Sequence, residues 1–278
     1  MKLGFSSCNQ PQRDFYGNLR YSKEMGYECL EAYGPQIDQI LAEGRGDELA
    51  ALSAETVPFT VHHLTPPTDP EKQEDFRQRM QRIHEFHLKY PHCILVLSFD
   101  TWAKRHLIKD SILYVLDLFK DTDLPIATED YPLNGDDAED YRECFAYPNY
   151  CILSDLGHTN VRLSDTGEQK TWCLWNEGEN LPLPRGVNTP EAFANSMKRK
   201  PLPVVQLHVH NNDGAGDQHR ALDDGNADFA GIVKELKALG WDGIVIIESS
   251  PTIHGITGDA ADRFLEKDTA LWRSYWNA

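Results

Sequence analysis

Metal-ligand and acid–base side chains are concentrated in VVQLHVHNNDGAGDQH, residues 204–219. The stretch begins as an apolar β-strand, and its last twelve residues contain three histidines, two asparagines and two aspartates. Imidazoles and carboxylates of this kind ligate divalent metal ions and transfer protons near neutral pH. One stretch supplies too few groups for a complete site, so we expect other strand ends to contribute.

The other candidate residues also lie where an apolar run turns polar. Together with the candidates in residues 204–219, the full set is His62 and His63, Glu129 and Asp130, Asp155 and His158, His208 and His210, Asp217 and His219, and Glu248. Glu31, Ser98 and Asp100 end two further runs. Side chains alternate along a strand, and His62 shares a face with Thr60, so we predict that His62 points inward.

A single carboxylate at a strand end commonly does no more than cap the next helix. Several buried carboxylates that converge repel one another, and a central cation offsets that repulsion. Glu129 and Glu248 from opposite sides, one aspartate and one imidazole would form a mostly oxygen site. Such a site suits one divalent ion, with Mn²⁺, Mg²⁺ or Co²⁺ favoured and Zn²⁺ tolerated.

Eight short apolar runs recur along the chain and predict the elements that position these residues. They are KLGFSS, ECLEAYG, PFTVHHL, CILVLSFD, PIATEDY, YCILSDLGH, VVQLHVHN and GIVIIESS. Their continuous hydrophobicity is typical of strands that are covered on both faces. Helical patterns lie between them, with starts at Asp69-Pro70 and Thr189-Pro190 and a stop at Gly240.

Eight strand–helix alternations predict an α/β protein with a single (β/α)8 TIM-barrel domain over residues 1–278, with a doubly wound open sheet as the alternative. In a barrel the carboxyl ends of all strands emerge on one face, which would bring the candidate residues together. Residues 160–188 form a long irregular segment that would follow strand six on this face. It could be a lid, with Trp172 and Trp175 stacking on a ligand, or a surface excursion.

Composition excludes several partner classes. Of the 278 residues, 27 are Lys or Arg and 44 are Asp or Glu, and the resulting net charge of −17 argues against nucleic acid as a partner. The six cysteines include no CxxC pair, which favours a reducing compartment over a zinc–thiolate site. The N-terminus lacks a signal-peptide apolar region, and the chain lacks an apolar run that could span a bilayer. We therefore expect a cytoplasmic protein without a membrane partner.

Four segments resemble the strand-five to strand-eight motifs of the xylose isomerase-like TIM-barrel superfamily: PIATED, CILSDLGH, LHVHNNDGAGDQH and IVIIES. This superfamily includes ketose epimerases, sugar-phosphate isomerases, inosose dehydratases and endonuclease IV, and the resemblance covers nearly the whole chain. It implies that four side chains hold a single divalent metal: Glu129, Asp155, His208 and Glu248.

The resemblance also implies further contacts. His158 matches a histidine that contacts substrate oxygens in the epimerases, or a further metal in the nuclease. His62 matches the strand-three histidine, and Asp217 with His219 matches the D-x-H pair of the nuclease's trinuclear site. His210 flanks the ligand histidine and is a further expected substrate contact. Arg220, just past His219, either reaches a substrate hydroxyl or phosphate or is exposed to solvent.

Three positions depart from the patterns of this superfamily. Ser98 stands where the nuclease has a histidine, and Asn211 stands where many relatives have an acidic residue. The segment RALDDGNADF replaces a more usual Gly-Glu-Gly run. Losing the strand-four histidine argues against a complete three-metal cluster.

The resemblance implies a metal-dependent sugar or sugar-phosphate isomerase or epimerase. Glu129 and Glu248 would remove and return a proton next to a carbonyl, through a metal-stabilised enediolate, and His158 would assist. Three alternatives stay open: a dehydratase of a cyclic polyol ketone, an endonuclease IV-like phosphodiesterase, and a barrel that binds sugar or metal without catalysis. The expected partner is a small sugar or polyol, and a homo-oligomer is possible.

Overall fold

Eight parallel β-strands form the centre of the fold, in a computed structural model that describes residues 1–62, 64–100, 105–129, 141–162, 189–214 and 216–278. The strands are β1 (Lys2–Phe5), β2 (Leu30–Tyr33), β3 (Phe59–His62), β4 (Ile94–Phe99), β5 (Ile126–Glu129), β6 (Tyr150–Asp155), β7 (Val204–Val209) and β8 (Ile244–Ile247). They lie side by side in the order β1-β8-β7-β6-β5-β4-β3-β2, and each ladder is parallel. All eight predicted strands are confirmed.

The two ends of this sheet meet where β1 approaches β2. Ser6 and Glu31 form a parallel bridge, and the backbone N–H of Glu28 donates to the carbonyl of Leu3 at 2.9 Å. A Cβ on Gly4 would lie 2.7 Å from the carbonyl oxygen of Cys29, so this close approach requires glycine. The sheet is thus a nearly closed barrel, which confirms the (β/α)8 prediction against the open sheet.

Helices surround the barrel in the described part of the chain. They are α1 (Phe15–Glu24), α2 (Gly34–Ala42), α3 (Gly46–Glu55), α4 (Gln73–Lys89), α5 (Arg105–Leu118), α6 (Leu156–Arg162), α7 (Pro190–Arg199), α8 (Phe229–Ala238) and α9 (Asp259–Asn277). In the same part of the chain, none of them has both the length and the apolar composition that crossing a bilayer requires.

The predicted helix boundaries follow from local capping. Thr189 Oγ1 accepts a hydrogen bond from the N–H of Ala192 and starts α7, as the Thr-Pro pair predicted. The Asp69-Pro70 pair starts a 3₁₀ turn over Pro70–Lys72, and α4 follows it directly. Gly240, with a φ of +67°, stands just past the end of α8.

The long segment predicted over residues 160–188 begins inside a helix. Residues 160–162 continue α6, and residues 163–188 lie outside the described part of the chain, as do Trp172 and Trp175. The choice between a lid and a surface excursion therefore stays a prediction.

Inward-facing side chains change from apolar to polar along the barrel. An apolar cluster fills its interior: Cys29, Val96, Ala127, Cys151, Leu153, Ile244 and Ile246. Burial raises the pKa of the Cys151 thiol to about 11, so this cysteine stays neutral and acts as a small apolar residue. Two residues further along, the same strand face carries polar groups at Glu31, Glu129, Asp155 and Glu248, which places the candidate site at the carboxyl end of the barrel.

Candidate active site

Four side chains at the carboxyl ends of β5, β6, β7 and β8 meet around one point. Measured from His208 Nδ1, the nearest carboxylate oxygens are Oε2 of Glu248 at 3.0 Å, Oε1 of Glu129 at 3.6 Å and Oδ2 of Asp155 at 3.7 Å. Asp155 and His208 are fully buried, and the two glutamates are each 4 % exposed. The structure thus brings together the four residues that were expected to hold a metal.

The Nδ1 atom of His208 identifies the centre of this group. It is buried and has no hydrogen-bond partner among the residues that the structure describes, although three carboxylates surround it. A buried polar atom without a partner is costly, whereas a metal ion at this position would accept its lone pair. Three carboxylates and one imidazole fit a divalent ion that prefers oxygen ligands, and the identity of that ion stays a prediction.

Burial and neighbouring charge move the pKa values of these groups in different directions. Burial raises the pKa of Glu129 to about 8, although His208 and His158 oppose it. Burial also disfavours the charged form of Glu248, but the His208 imidazole outweighs it and lowers the pKa of Glu248. Burial opposes charge on His208, and the carboxylates of Glu248 and Glu31 outweigh it, so the pKa of His208 is raised. In the metal-free protein, a protonated His208 supplies positive charge between the carboxylates.

His62 lies on the β4 side of the centre and is buried, with 1 % exposure. Its Nδ1 lies 2.9 Å from Ser98 Oγ, and its Nε2 lies 3.2 Å from Asp100 Oδ1 and 3.6 Å from Glu129 Oε2. The contact with Ser98 therefore fixes the ring of His62. Its neighbour His63 lies outside the described residues, as does Asp130.

A second cluster joins the first on its β6 and β7 side and consists of His158, His210, Asp217 and His219. Asp217 is central, with an oxygen 3.4 Å from His158 Nε2, 3.4 Å from His210 Nε2 and 3.1 Å from His219 Nε2. The cluster contacts the first group directly, because His158 Nδ1 lies 3.6 Å from Glu129 Oε1 and His210 Nε2 lies 3.1 Å from Asp155 Oδ1. Four residues that were expected to contact substrate therefore lie beside the four expected metal ligands.

The backbone at His219 adopts a conformation that non-glycine residues seldom occupy, with a φ of +44°. Three contacts hold it there. Its Nδ1 lies 2.9 Å from the carbonyl oxygen of Glu248, its ring stacks on that of His210 with centroids 3.9 Å apart, and its carbonyl accepts from the N–H of Ser250 at 2.9 Å. Burial opposes charge on this ring, but the hydrogen bond to Asp217 raises the pKa of His219 to about 9. Strained backbone of this kind is concentrated at functional sites.

A buried network of asparagine amides holds the loop that carries Asp217 and His219. Asn160 Nδ2 donates to Oδ1 of Asn212 at 2.7 Å and to Oδ1 of Asn226 at 2.6 Å. Asn212 Nδ2 in turn donates to the carbonyl of Gly157 at 2.8 Å. These contacts could not be predicted from the sequence, because an asparagine in a loop is as typical of a turn as of a buried network.

Arg220 contacts carboxylates that belong to neither cluster. Its guanidinium lies 3.7 Å from the carboxylates of Asp213 and Asp224 and is 30 % exposed on its side chain. A substrate contact through Arg220 therefore remains a prediction.

Comparisons with known proteins agree with this architecture. The model of the family described as "Xylose isomerase-like TIM barrel" matches residues 19–267. The structure is similar to a D-tagatose 3-epimerase-like protein, with a TM-score of 0.64, 17 % identity and 99 % of both chains covered. It is also similar to D-psicose 3-epimerase from Clostridium cellulolyticum H10 solved with D-tagatose, with a TM-score of 0.68, 13 % identity and 99 % of both chains covered.

Two further relatives complete the comparison. A xylose isomerase domain protein from Alicyclobacillus acidocaldarius has a TM-score of 0.69 at 14 % identity, over 100 % of both chains. An uncharacterized protein of Methanocaldococcus jannaschii is 30 % identical over 63 residues, which are 23 % of this chain and 22 % of that protein. The chain thus matches about a fifth of the length of this curated relative. Because the family model spans most of the chain, the protein belongs to the xylose isomerase-like TIM-barrel family.

Proposed function

We propose that this member of the xylose isomerase-like family is a divalent-metal-dependent isomerase or epimerase of a small sugar or sugar phosphate. One observation carries the proposal: Glu129 and Glu248 both approach the buried Nδ1 of His208, at 3.6 and 3.0 Å, together with Asp155 at 3.7 Å. Epimerisation next to a carbonyl needs two proton-transfer groups and a means of stabilising an enediolate. The neighbouring D-psicose and D-tagatose 3-epimerase-like structures share this fold and support the assignment.

In this proposal, a divalent ion held by Glu129, Asp155, His208 and Glu248 would act as a Lewis acid that favours loss of a proton next to the substrate carbonyl. One of the two glutamates removes that proton as a carboxylate, and the other returns a proton to the same or the adjacent carbon. In the metal-free protein, burial raises the pKa of Glu129 to about 8, whereas at Glu248 burial is outweighed by the His208 imidazole, which lowers the pKa, so the two carboxylates lie in different electrostatic environments. His158 Nδ1, 3.6 Å from Glu129, donates a hydrogen bond to a substrate oxygen.

The experiment is exchange of a substrate proton with D₂O, followed by NMR on a panel of ketoses. The panel contains D-psicose, D-tagatose and D-fructose, the sugars that occur with the structural neighbours, and the protein is loaded with Mn²⁺, Mg²⁺ or Co²⁺. We expect deuterium at a carbon next to the carbonyl in the wild type. Glu248→Gln should abolish this exchange, because the amide removes a metal ligand and cannot accept the proton.

The matched control is Glu85→Gln, which makes the same chemical change on the exposed side of α4. It should exchange at the wild-type rate. Wild-type exchange in Glu248→Gln would refute the proposed role of that residue and, with it, the proposed reaction.

A dehydratase of a cyclic polyol ketone would use the same groups and differ only in what leaves the substrate. Mass spectrometry of the product separates the two reactions, since dehydration removes one water and epimerisation leaves the mass unchanged.

The second candidate function is metal-dependent phosphodiester hydrolysis, and the cluster of His158, His210, Asp217 and His219 favours it because its ligand atoms lie within 4.8 Å of one another. Two observations argue against it, namely the net charge of −17 and the engagement of Ser98 with His62. Three metal ions per chain, or cleavage of abasic DNA, would establish this function instead.

A further inference from the structure

We infer that Glu31 is a positioning residue that fixes the orientation and the protonated nitrogen of His208, so that Nδ1 faces the three carboxylates. The inference rests on the proposed metal site. Glu31 lies on β2, far from the ligand residues in sequence, and neither the composition nor the motifs give it a role beyond ending a strand.

The contacts define a buried group of three residues. Glu31, Gln206 and His208 are each fully buried. Oε2 of Glu31 lies 2.8 Å from Nε2 of His208, and the amide Nε2 of Gln206 donates to the same oxygen at 2.7 Å. Gln206 precedes His208 by two positions on β7, so both side chains face inward. The Gln206 amide thereby fixes the carboxylate that in turn fixes the imidazole.

The consequence for His208 follows from hydrogen-bond chemistry. The amide nitrogen of Gln206 also lies 3.1 Å from Nε2 of His208, but it donates to Glu31 over the shorter distance of 2.7 Å. The Glu31 carboxylate, 2.8 Å from Nε2, can only accept a hydrogen bond, so Nε2 is the nitrogen that carries the proton. The neutral ring then has its lone pair on Nδ1, the atom 3.0 Å from Glu248. A carboxylate that accepts the other N–H of a metal-binding histidine sets its tautomer and raises its basicity as a ligand.

A purely structural role is the competing explanation, because Glu31 also joins β2 to β7 across the barrel interior. Two variants separate the roles. Glu31→Gln removes the charge at nearly constant shape, and Glu31→Asp keeps the charge but withdraws it from Nε2. The matched control is Glu28→Gln, on the same side of the barrel three residues earlier, where the exposed carboxylate accepts from the N–H of Leu3.

The first measurement is the Mn²⁺ dissociation constant by calorimetry. A positioning role predicts that Glu31→Gln and Glu31→Asp both weaken binding, by about 10- to 100-fold, while Glu28→Gln binds as the wild type does. The free energy of unfolding of each metal-free variant is measured as well. A purely structural role would lower this free energy and leave the Mn²⁺ affinity unchanged. Wild-type affinity in either Glu31 variant would overturn the inference.

The second measurement needs no metal. In ¹⁵N-labelled metal-free protein, Nε2 of His208 should give a slowly exchanging proton resonance whether the ring is neutral or cationic, because the donor is buried against Glu31. The chemical shift of this proton, rather than its presence, reports the hydrogen bond to Glu31. This resonance should move in Glu31→Gln and stay in Glu28→Gln. An Nε2 without a proton would overturn the inference by itself. If the wild type binds no divalent ion, the proposed function is refuted. The His208 Nε2 proton resonance alone would then decide the inference about Glu31.

Discussion

Replacing Asp268 by asparagine is expected to stabilise the protein above about pH 6. Asp268 lies on α9 and is fully buried, where its carboxylate accepts from Ser249 Oγ and, at 3.1 Å, from the N–H of Leu222. Burial raises its pKa to about 6 from an ordinary 3.8, although both hydrogen bonds oppose the shift. At neutral pH the folded protein therefore contains a carboxylate whose ionisation the buried environment disfavours.

The sign and size of the effect follow from linkage. Between pH 3.8 and 6 the folded state binds a proton that the unfolded state has released, so stability falls as pH rises through this window. A shift of this size corresponds to about 3 kcal/mol, at 1.36 kcal/mol per pKa unit, as an upper bound. Asparagine resembles the protonated acid, because its oxygen can accept from Leu222 while its amide donates to Ser249 Oγ. We therefore expect a gain of about 1 to 3 kcal/mol at pH 8 that disappears toward pH 4.

The assay is urea denaturation of both proteins at intervals from pH 4 to pH 9. A constant difference across this range would show that Asp268 is not the titrating group. An asparagine variant that is less stable than the wild type at pH 8 would show that the ionised carboxylate stabilises the fold, which would refute the reasoning.

Three further predictions concern the site and its supports. Mn²⁺ affinity should fall as pH decreases below about 8, because protons on Glu129 and His208 compete with the ion. Calorimetry in two buffers of different protonation enthalpy measures the proton release that should accompany binding. An affinity that does not change with pH would contradict this prediction. Gly157→Ala should destabilise the protein by about 1–3 kcal/mol, because the new Cβ would lie 1.9 Å from the His210 ring. At Gly216 a new Cβ would have no neighbour within 4 Å among the described residues, so Gly216→Ala should leave the free energy of unfolding unchanged. Thr189→Ala should lower the free energy of unfolding by about 1 kcal/mol, because α7 loses the hydrogen bond that caps its first turn. An unchanged free energy of unfolding would show that Pro190 alone starts the helix.

The sequence predicted the barrel because its signals are local and repeat eight times. Each apolar run that ends in a carboxylate or a histidine indicates a strand, and parallel topology then places those ends on one face. This topology brings the ends of β5 to β8 to one face, and the family resemblance named Glu129, Asp155, His208 and Glu248 among the residues there. Glu31 and the Asn160–Asn212 contact could not be predicted in this way, because they depend on which side chains face each other across the barrel interior. The left-handed backbone at His219 likewise depends on contacts with Glu248 and Ser250 that are distant in sequence.

Charge balance separates the two clusters and supports a single metal ion. The first contains three carboxylates and one imidazole, so even a protonated His208 leaves an excess of buried negative charge that a divalent ion would offset. In the second cluster, three imidazoles surround the carboxylate of Asp217. Burial opposes the ionisation of Asp217, but His158 and His219 outweigh burial and lower its pKa. Although burial opposes it, the hydrogen bond to Asp217 raises the pKa of His219 to about 9, so a second ion would have to displace a proton from His219. At neutral pH the second cluster is therefore better suited to donate hydrogen bonds to substrate oxygens than to bind further metal, which favours a one-metal isomerase or epimerase over a three-metal nuclease.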